Sequence, residues 1–236
     1  MSAQARTRLL AEASEPYRAA GRFAYHFARG KLGGDPAFTA ILERGLLAGH
    51  SGILDLGCGQ GLLAAWLRAA ARCWAEGCWP AGWPPPPSGV SWRGIELMPR
   101  DIERARLALG PAAALTLGDI RSVGFGTADA VVVLDVLHYM SFEEQRAMLQ
   151  RVRAALRVPG RLLLRVGDRA GGLRFHISRW VDHAALLARG HGLAPLHCRG
   201  IAQWRALLRE CGFDSEPLPM SQGTPFANVM LIAHPT

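Results

Sequence analysis

The sequence predicts an α/β protein whose core is a mostly parallel sheet with helices on both faces. Short apolar runs alternate with segments of helical length over residues 51–167, which is the pattern of repeated βαβ units. A glycine-rich turn follows the first of these runs, where such sheets bind nucleotide-like ligands. With 236 residues, half of them apolar, the chain suits one domain with a substantial core.

Residues 1–50 form a helical segment in this prediction, and the sheet-forming domain spans 51–236. A glycine-rich stretch at 30–36 is expected to break the first helical part. Asp35 is placed to cap a helix that starts at Pro36 and ends near Ala48. The N-terminus has no apolar segment typical of a signal peptide, and no run of eighteen apolar residues predicts a membrane span.

The remaining elements follow from apolar runs, amphipathic spacing and turn residues. Predicted strands cover residues 53–56, 90–95, 114–117, 130–134, 161–166, 213–219 and 226–233. Predicted helices cover residues 62–71, 99–109, 142–157, 178–189 and 200–211. Pro159 and Gly160 form a predicted turn before the fifth strand, and the last two strands are expected to pair around residues 223–225.

A tryptophan- and proline-rich segment at 72–89 interrupts this alternation and is interpreted as an insertion. Its tryptophans either form an exposed docking surface or pack on their own domain, and we favour the second interpretation. The five cysteines are odd in number and irregularly spaced, which predicts free thiols in a reducing cytoplasm. Cys73 and Cys78 lack partners at zinc spacing, so no metal site is expected.

The net charge of +8 comes almost entirely from arginines scattered along predicted helices, and Lys31 is the only lysine. A scattered distribution is typical of a solvated surface and does not favour a nucleic-acid partner. An acidic acyl carrier protein is the macromolecular partner to test first. The basic charge also leaves contact with an anionic membrane surface open. Such contact would be at the surface, because no membrane span is predicted.

The glycine-rich turn contains Asp55, Gly57, Cys58, Gly59 and Gly61. Glycines let the backbone adopt φ > 0 and allow a ligand close approach, while the following helix offers its N-terminal N–H groups. The third glycine stands one residue too early for a dinucleotide fingerprint. The string resembles motif I of the class I S-adenosylmethionine (SAM) methyltransferases. The resemblance implies a Rossmann-like fold of seven strands, the last one antiparallel, with SAM as cofactor.

The resemblance also implies cofactor contacts beyond the turn. Glu96 ends the second strand, where a carboxylate accepts hydrogen bonds from ribose hydroxyls, and Leu97 next to it would flank the adenine. Asp119 would bind the adenine amino group, with Ile120 against the ring. Asp135 opens the stretch that, in the family, meets the methionine portion of SAM.

His138 is the predicted catalytic base, because its pKa lies near neutrality and it follows the strand that faces SAM. A histidine that only packs and bonds a carbonyl is an equal alternative. In the family the N-terminal helices often close over the cofactor, so residues 1–50 are a predicted lid, with Arg29 and Lys31 contributing to SAM or substrate binding. Further candidates share aromatic or basic side chains in the flanking regions: Tyr17, Tyr25, His26, His176, Trp180, His183 and Arg199.

More narrowly, residues 27–32, 164–168 and 223–228 resemble methyltransferases encoded with fatty-acid-like genes of bacterial aryl polyene pigments. That implies an aromatic acceptor, either a free acid or an aryl-acyl chain on a carrier, with O- and C-methylation both open. An RNA methyltransferase is an alternative prompted by the basic charge, but the Asn/Asp-Pro-Pro-aromatic signature is missing. The sequence also leaves open a non-catalytic SAM-binding scaffold and, more distantly, a Rossmann dehydrogenase.

Overall fold

The computed structural model describes residues 3–168, 196–222 and 227–236, and its centre is a seven-stranded sheet. The strands are β1 (Gly52–Leu56), β2 (Ser91–Glu96), β3 (Ala114–Leu117), β4 (Ala128–Leu134), β5 (Leu156–Gly167), β6 (Phe213–Pro219) and β7 (Asn228–Pro235). Their order is β3-β2-β1-β4-β5-β7-β6, and β7 runs in the direction opposite to the other six strands of the sheet. The predicted sheet, with its antiparallel last strand, is confirmed.

Helices cover both faces of this sheet. They are α1 (Ala3–Ser14), α2 (Arg22–Gly34), α3 (Pro36–Glu43), α4 (Leu62–Ala75), α5 (Pro99–Leu109), α6 (Phe142–Ala155) and α7 (Ile201–Glu210), with 3₁₀ turns at Glu15–Ala20 and Leu137–Tyr139. Local signals set several of their ends. Ser141 and Glu144 form a reciprocal capping box at the start of α6, and prolines occupy the first turns of α3 and α5.

The core has two layers because side chains alternate across each strand. Ile53 and Val132 face a layer built with α1 to α5. Leu54 and Val131 face the layer of α6 and α7. Among the described residues, no helix combines the length and apolar character that crossing a bilayer requires.

The N-terminal helices differ from the prediction at their boundaries. The expected break at residues 30–36 is present but narrower than predicted, since α2 continues through its glycines to Gly34 and only Asp35 separates it from α3. The second helix ends at Glu43 rather than near Ala48. Ala28 and Leu32 are buried on one face of α2. Their burial outweighs the helix cost of about 1 kcal/mol for each glycine. The predicted cap is confirmed, because the Ala37 N–H donates to Asp35 Oδ1 at 3.0 Å.

The junction of α6 and β5 also differs from the prediction. The strand begins at Leu156, which the sequence assigned to the helix, and Pro159 and Gly160 lie inside β5 rather than in a turn before it. The pairing of β4 with β5 shifts here from Ala128↔Leu156 to Ala130↔Arg161. A proline has no N–H to donate to the ladder, so the strand continues through an irregular stretch.

The segment at 72–89 packs on its own domain through two of its tryptophans. Trp79 and Trp83 contact the core cluster, and the Trp79 indole donates to the Pro84 carbonyl at 3.1 Å. Trp74 is half exposed on the extended end of α4. It borders a cavity of about 690 Å³ at the amino-terminal edge of β2 and β3, whose lining includes no residue of the glycine turn.

The prediction of free thiols is wrong for Cys73 and Cys78, which form a disulfide. The Cys78 N–H donates to the Cys73 carbonyl at 2.9 Å, which folds the chain back at the end of α4. Their Cα atoms lie 5.0 Å apart, within the range that a disulfide spans. A reducing compartment therefore no longer follows from the cysteines alone.

Candidate active site

The glycine turn joins β1 to α4 at the carboxyl edge of the sheet. Gly57, Gly59 and Gly61 have φ values of +73°, +54° and +72°. A side chain in this left-handed region is strained, so each position favours glycine. The three positive φ values carry the chain sharply from the strand into the helix.

The three glycines differ in what surrounds them. A Cβ at Gly57 would lie 2.4 Å from a Val136 methyl carbon, and one at Gly61 would lie 2.6 Å from a Leu109 methyl carbon. These two glycines let neighbouring elements pack against the turn. A Cβ at Gly59 would have no atom within 4 Å. Only Gly59 therefore turns its bare backbone toward open space, where a ligand has room.

Glu96, at the end of β2, accepts hydrogen bonds from the backbone of the turn and of the residues that follow β2. One carboxylate oxygen accepts the Gly59 N–H at 2.9 Å, and the other accepts the Met98 N–H at 2.8 Å. The carboxylate thus ties the turn to the residues that open α5. Leu97 follows it and is 49% exposed. The structure places Glu96 against the turn, with Leu97 next along the chain, and their contacts with SAM stay predictions.

Asp55 and Cys58 lie beneath the turn, both buried. Burial raises the pKa of Asp55 to about 7; the Trp92 side chain lowers it by a smaller amount, and the Glu96 charge adds a still smaller rise. Burial also raises the pKa of the Cys58 thiol. A Cβ at Gly94 would lie 2.6 Å from the Cys58 sulfur, so this side chain packs on β2. Both residues support the turn from inside the protein.

Asp119 and Ile120 follow β3, next to the end of β2 in the sheet. Asp119 pairs with Arg121 at 2.6 Å and accepts the Arg121 backbone N–H at 2.8 Å, so hydrogen bonds from Arg121 lower the pKa of the Asp119 carboxyl. The Ile120 side chain is buried in the core. Their contacts with adenine stay predictions, and an Asp119 carboxylate would keep its pairing with Arg121 while using its remaining lone pairs.

Asp135, after β4, belongs to a ring of four charges that the sequence did not predict. Arg165 Nε donates to Asp135 Oδ1 at 2.8 Å and Arg165 Nη1 to Asp35 Oδ1 at 2.5 Å. Lys31 Nζ lies 2.8 Å from Asp35 Oδ2 and 3.8 Å from Asp135 Oδ2, which closes the ring. Burial alone would raise the pKa of Asp35, but the charges of Arg165 and Lys31 outweigh it and hold that pKa at about 2.

The other predicted residues are distributed around this edge. Arg29 is exposed on α2, outside the charge ring. His138 lies in the 3₁₀ turn after β4, with its ring centroid 4.1 Å from that of Tyr139, and its carbonyl accepts the His197 N–H at 2.8 Å. The structure therefore places His138 beyond the same strand as Asp135, and its role as a base stays a prediction.

Among the further candidates, Tyr17 makes the most direct contact with the turn. Its hydroxyl donates to the Gln60 carbonyl at 2.8 Å, and burial raises its pKa. Tyr25 packs against the His26 ring and under the Arg18 guanidinium, and Arg199 donates to Gln145. The remaining candidates lie outside the described residues: His176, Trp180 and His183, together with the predicted helix 178–189 and the turn 223–225.

We expect Tyr17→Phe to destabilise the turn without unfolding the domain. The change leaves the buried Gln60 carbonyl without the phenol, which costs about 1–3 kcal/mol. Denaturant unfolding would measure that cost. Tyr25→Phe is the matched control, since Tyr25 is only partly buried and its contacts with His26 and Arg18 are made by the ring, which phenylalanine keeps. Equal stabilities for Tyr17→Phe and the unmodified protein would contradict the assigned hydrogen bond.

The sheet order, the antiparallel β7 and the glycine turn define a class I methyltransferase fold. A family model described as a methyltransferase domain matches residues 22–217. The chain therefore belongs to the methyltransferase-domain family.

One known protein is similar to this chain in sequence, and two solved structures are similar to it in fold. The chain is 33% identical over 129 residues to a carboxy-S-adenosyl-L-methionine synthase of Chromohalobacter salexigens, an alignment that covers 52% of this chain and 42% of that protein. Magnesium protoporphyrin IX methyltransferase of Synechocystis PCC 6803, solved with bound SAH, matches with TM-score 0.59, 19% identity and 98% coverage of both chains. Mitomycin 7-O-methyltransferase MmcR matches with TM-score 0.60 and 19% identity, over 98% of this chain and 68% of its own.

Proposed function

We propose that this protein transfers the methyl group of SAM to a small aromatic acceptor, either free or bound to an acyl carrier protein. The observation that supports SAM as the methyl donor is the open backbone at Gly59, whose N–H donates to the Glu96 carboxylate. A turn without side-chain obstruction leaves space for the amino-acid end of a nucleoside, and a carboxylate beside it suits ribose hydroxyls. Two structural neighbours, the magnesium protoporphyrin IX methyltransferase and the mitomycin 7-O-methyltransferase, bear the names of small-molecule substrates and so support a small-molecule acceptor.

The residues present fit SAM at this edge of the sheet. The N–H groups and bare backbone of the turn would hold its amino-acid end, Glu96 its ribose, and Leu97 and Ile120 its adenine. When bound, SAM supplies a methyl group on a positively charged sulfur, which leaves as a neutral thioether. The protein therefore needs no acid for the leaving group, and its main task is to hold the acceptor in line.

His138 is the proposed proton acceptor for a phenolic substrate. We expect His138→Gln to lower kcat about a hundredfold or more, in the range typical of general bases, while the Kd for SAM stays unchanged. The kcat of the unmodified enzyme should rise with pH as the imidazole loses its proton, and the variant should lose this rise. Initial rates over a pH series, with SAM calorimetry, would measure both effects.

His50→Gln is the matched control for this change, because His50 precedes β1 at the opposite edge of the sheet. It should leave kcat and its pH profile as they are. An unchanged kcat in His138→Gln would refute the role of His138 as a base. The rate would then come from holding the acceptor in line with the methyl group.

Mass spectrometry of acceptors incubated with the protein and isotope-labelled SAM would test the activity itself. The panel includes hydroxybenzoates, aryl-acyl chains on an acyl carrier protein, and RNA. One labelled methyl on an aromatic acceptor is the expected result, and its position separates O- from C-methylation. A label on RNA alone would favour the RNA methyltransferase, and SAM binding without any label would favour the non-catalytic scaffold.

The biological setting in this proposal is the synthesis of aryl polyene or fatty-acid-like products. Its support is the resemblance of residues 27–32 and 164–168 to methyltransferases of such gene clusters. Faster transfer to a carrier-bound aryl chain than to the same free acid would favour this setting. The reverse order would favour a free aromatic acid as the substrate.

A further inference from the structure

Arg165 is an unusual residue for its place in the sheet. It lies near the carboxyl end of β5 within an otherwise apolar run, and its side chain is 1% exposed. Its guanidinium donates from three nitrogens to two carboxylates, those of Asp135 and Asp35. A planar guanidinium suits this arrangement because its donors have fixed directions.

One side of Arg165 holds the bend that follows β4. Asp135 has a φ of +58°, a conformation that residues other than glycine seldom adopt. Two nitrogens of Arg165 donate to the Asp135 carboxylate, and the Asp135 N–H donates to the Arg165 carbonyl at 3.3 Å. The next residue, Val136, occupies the space that a Cβ at Gly57 would need. The bend held by Arg165 is therefore packed directly on the glycine turn.

The other side of Arg165 holds the N-terminal helices. Asp35 accepts from Arg165 and at the same time caps α3 through the Ala37 N–H. Asp35 also pairs with Lys31, in the last turn of α2, so one carboxylate joins α2, α3 and β5. Its side chain is nearly buried, whereas those of Lys31 and Asp135 are about one-third exposed. The buried half of the charge ring fixes the helices, and its exposed half lies at the edge that carries the site.

We infer that Arg165 is a positioning residue that fixes the N-terminal helices and the bend after β4 in the arrangement that binds SAM. The inference rests on the proposed function for the location of the cofactor. Arg165 acts through Asp35 and Asp135. Loss of the guanidinium leaves two neighbouring carboxylates with Lys31 alone, and their repulsion separates the helices from the bend.

Three variants test this role. Arg165→Gln removes the charge, Arg165→Lys restores a single cation without the fork, and Asp35→Asn removes only the ion pairs because asparagine still caps α3. Asp129→Asn is the matched control: Asp129 pairs with Arg157 at 3.0 Å and accepts the Gly52 N–H at 2.7 Å, at the amino-terminal edge of the sheet.

We expect Arg165→Gln and Asp35→Asn to raise the Kd and the KM for SAM at least about tenfold, since small misplacements of a site are costly. At saturating SAM, kcat should change much less. Arg165→Lys should recover part of the affinity. Amide hydrogen exchange of residues 22–43 should become faster in Arg165→Gln and Asp35→Asn. Asp129→Asn should leave SAM affinity and this exchange unchanged.

Wild-type SAM affinity and exchange in Asp35→Asn would overturn the inference, even where Arg165→Gln fails to fold. An equal loss of affinity in Asp129→Asn would also overturn it, because the effect would then be one of general stability. Failure of the proposed function looks different, since the unmodified protein would then either bind no SAM or bind it without transferring its methyl group. The exchange of residues 22–43 would still report whether Arg165 anchors them.

Discussion

Replacing Gly59 with valine is expected to abolish SAM binding while the domain remains folded. Nothing in the protein lies within 4 Å of the new Cβ, so the side chain enters the space assigned to the ligand. We expect affinity to fall at least about a hundredfold, equivalent to about 2.7 kcal/mol. Isothermal calorimetry with SAM, together with thermal unfolding, would measure the two effects separately.

The backbone strain of this substitution needs its own control. Valine at a φ of +54° costs about 1–2 kcal/mol before any ligand is considered. Gly77→Val carries the same kind of strain, at a φ of +70° with no atom within 4 Å of the Cβ, and it lies in the loop after α4. We expect the two variants to have similar melting temperatures, and we expect only Gly77→Val to bind SAM. Tight SAM binding by Gly59→Val would refute the location proposed for the cofactor.

Glu96→Gln is expected to weaken SAM binding and to loosen the turn at the same time. Both oxygens of Glu96 accept backbone N–H groups, whereas glutamine offers one oxygen and one NH₂ group. One N–H, of Gly59 or Met98, then loses its acceptor, at a cost of about 1–3 kcal/mol in unfolding free energy. The loss of a ribose partner adds to this, so we expect SAM affinity to fall at least about tenfold.

Denaturant unfolding and SAM calorimetry on the same samples would measure both effects of Glu96→Gln. Asp129→Asn again provides the comparison, because it also changes a carboxylate that accepts a backbone N–H into an amide. It should lose stability and keep its affinity for SAM. If Glu96→Gln lost stability alone, the carboxylate would be a structural part of the turn and would not contact the ribose.

The sequence was sufficient for the sheet because local signals there agree with the tertiary structure. The central strand that it placed at 130–134 is an apolar run, and positions 57, 59 and 61 of the turn all favour glycine in the structure. It failed where long-range packing outweighs local preference. Glycines at 30–34 indicate a break, yet the buried face of α2 keeps the helix intact.

The candidate site was predictable where its residues are close in sequence, and not where they come together from distant segments. Glu96 follows a strand next to the turn, so its place could be inferred. Arg165 and Asp35 are 130 residues apart, and no local pattern pairs them. A signal was present, since a single arginine inside the apolar run 162–166 requires a buried acidic partner. The sequence does not say which of the carboxylates supplies it.

The position of β7 has a consequence for how the chain reaches its folded state during synthesis. β7 pairs with β5 on one side and β6 on the other, although it comes after both in the chain. Until it emerges from the ribosome, the two strands each expose a row of unpaired N–H and C=O groups, which invite pairing with other nascent chains. Closure of the sheet is therefore a late event, and chaperones that shield strand edges would be most useful before it.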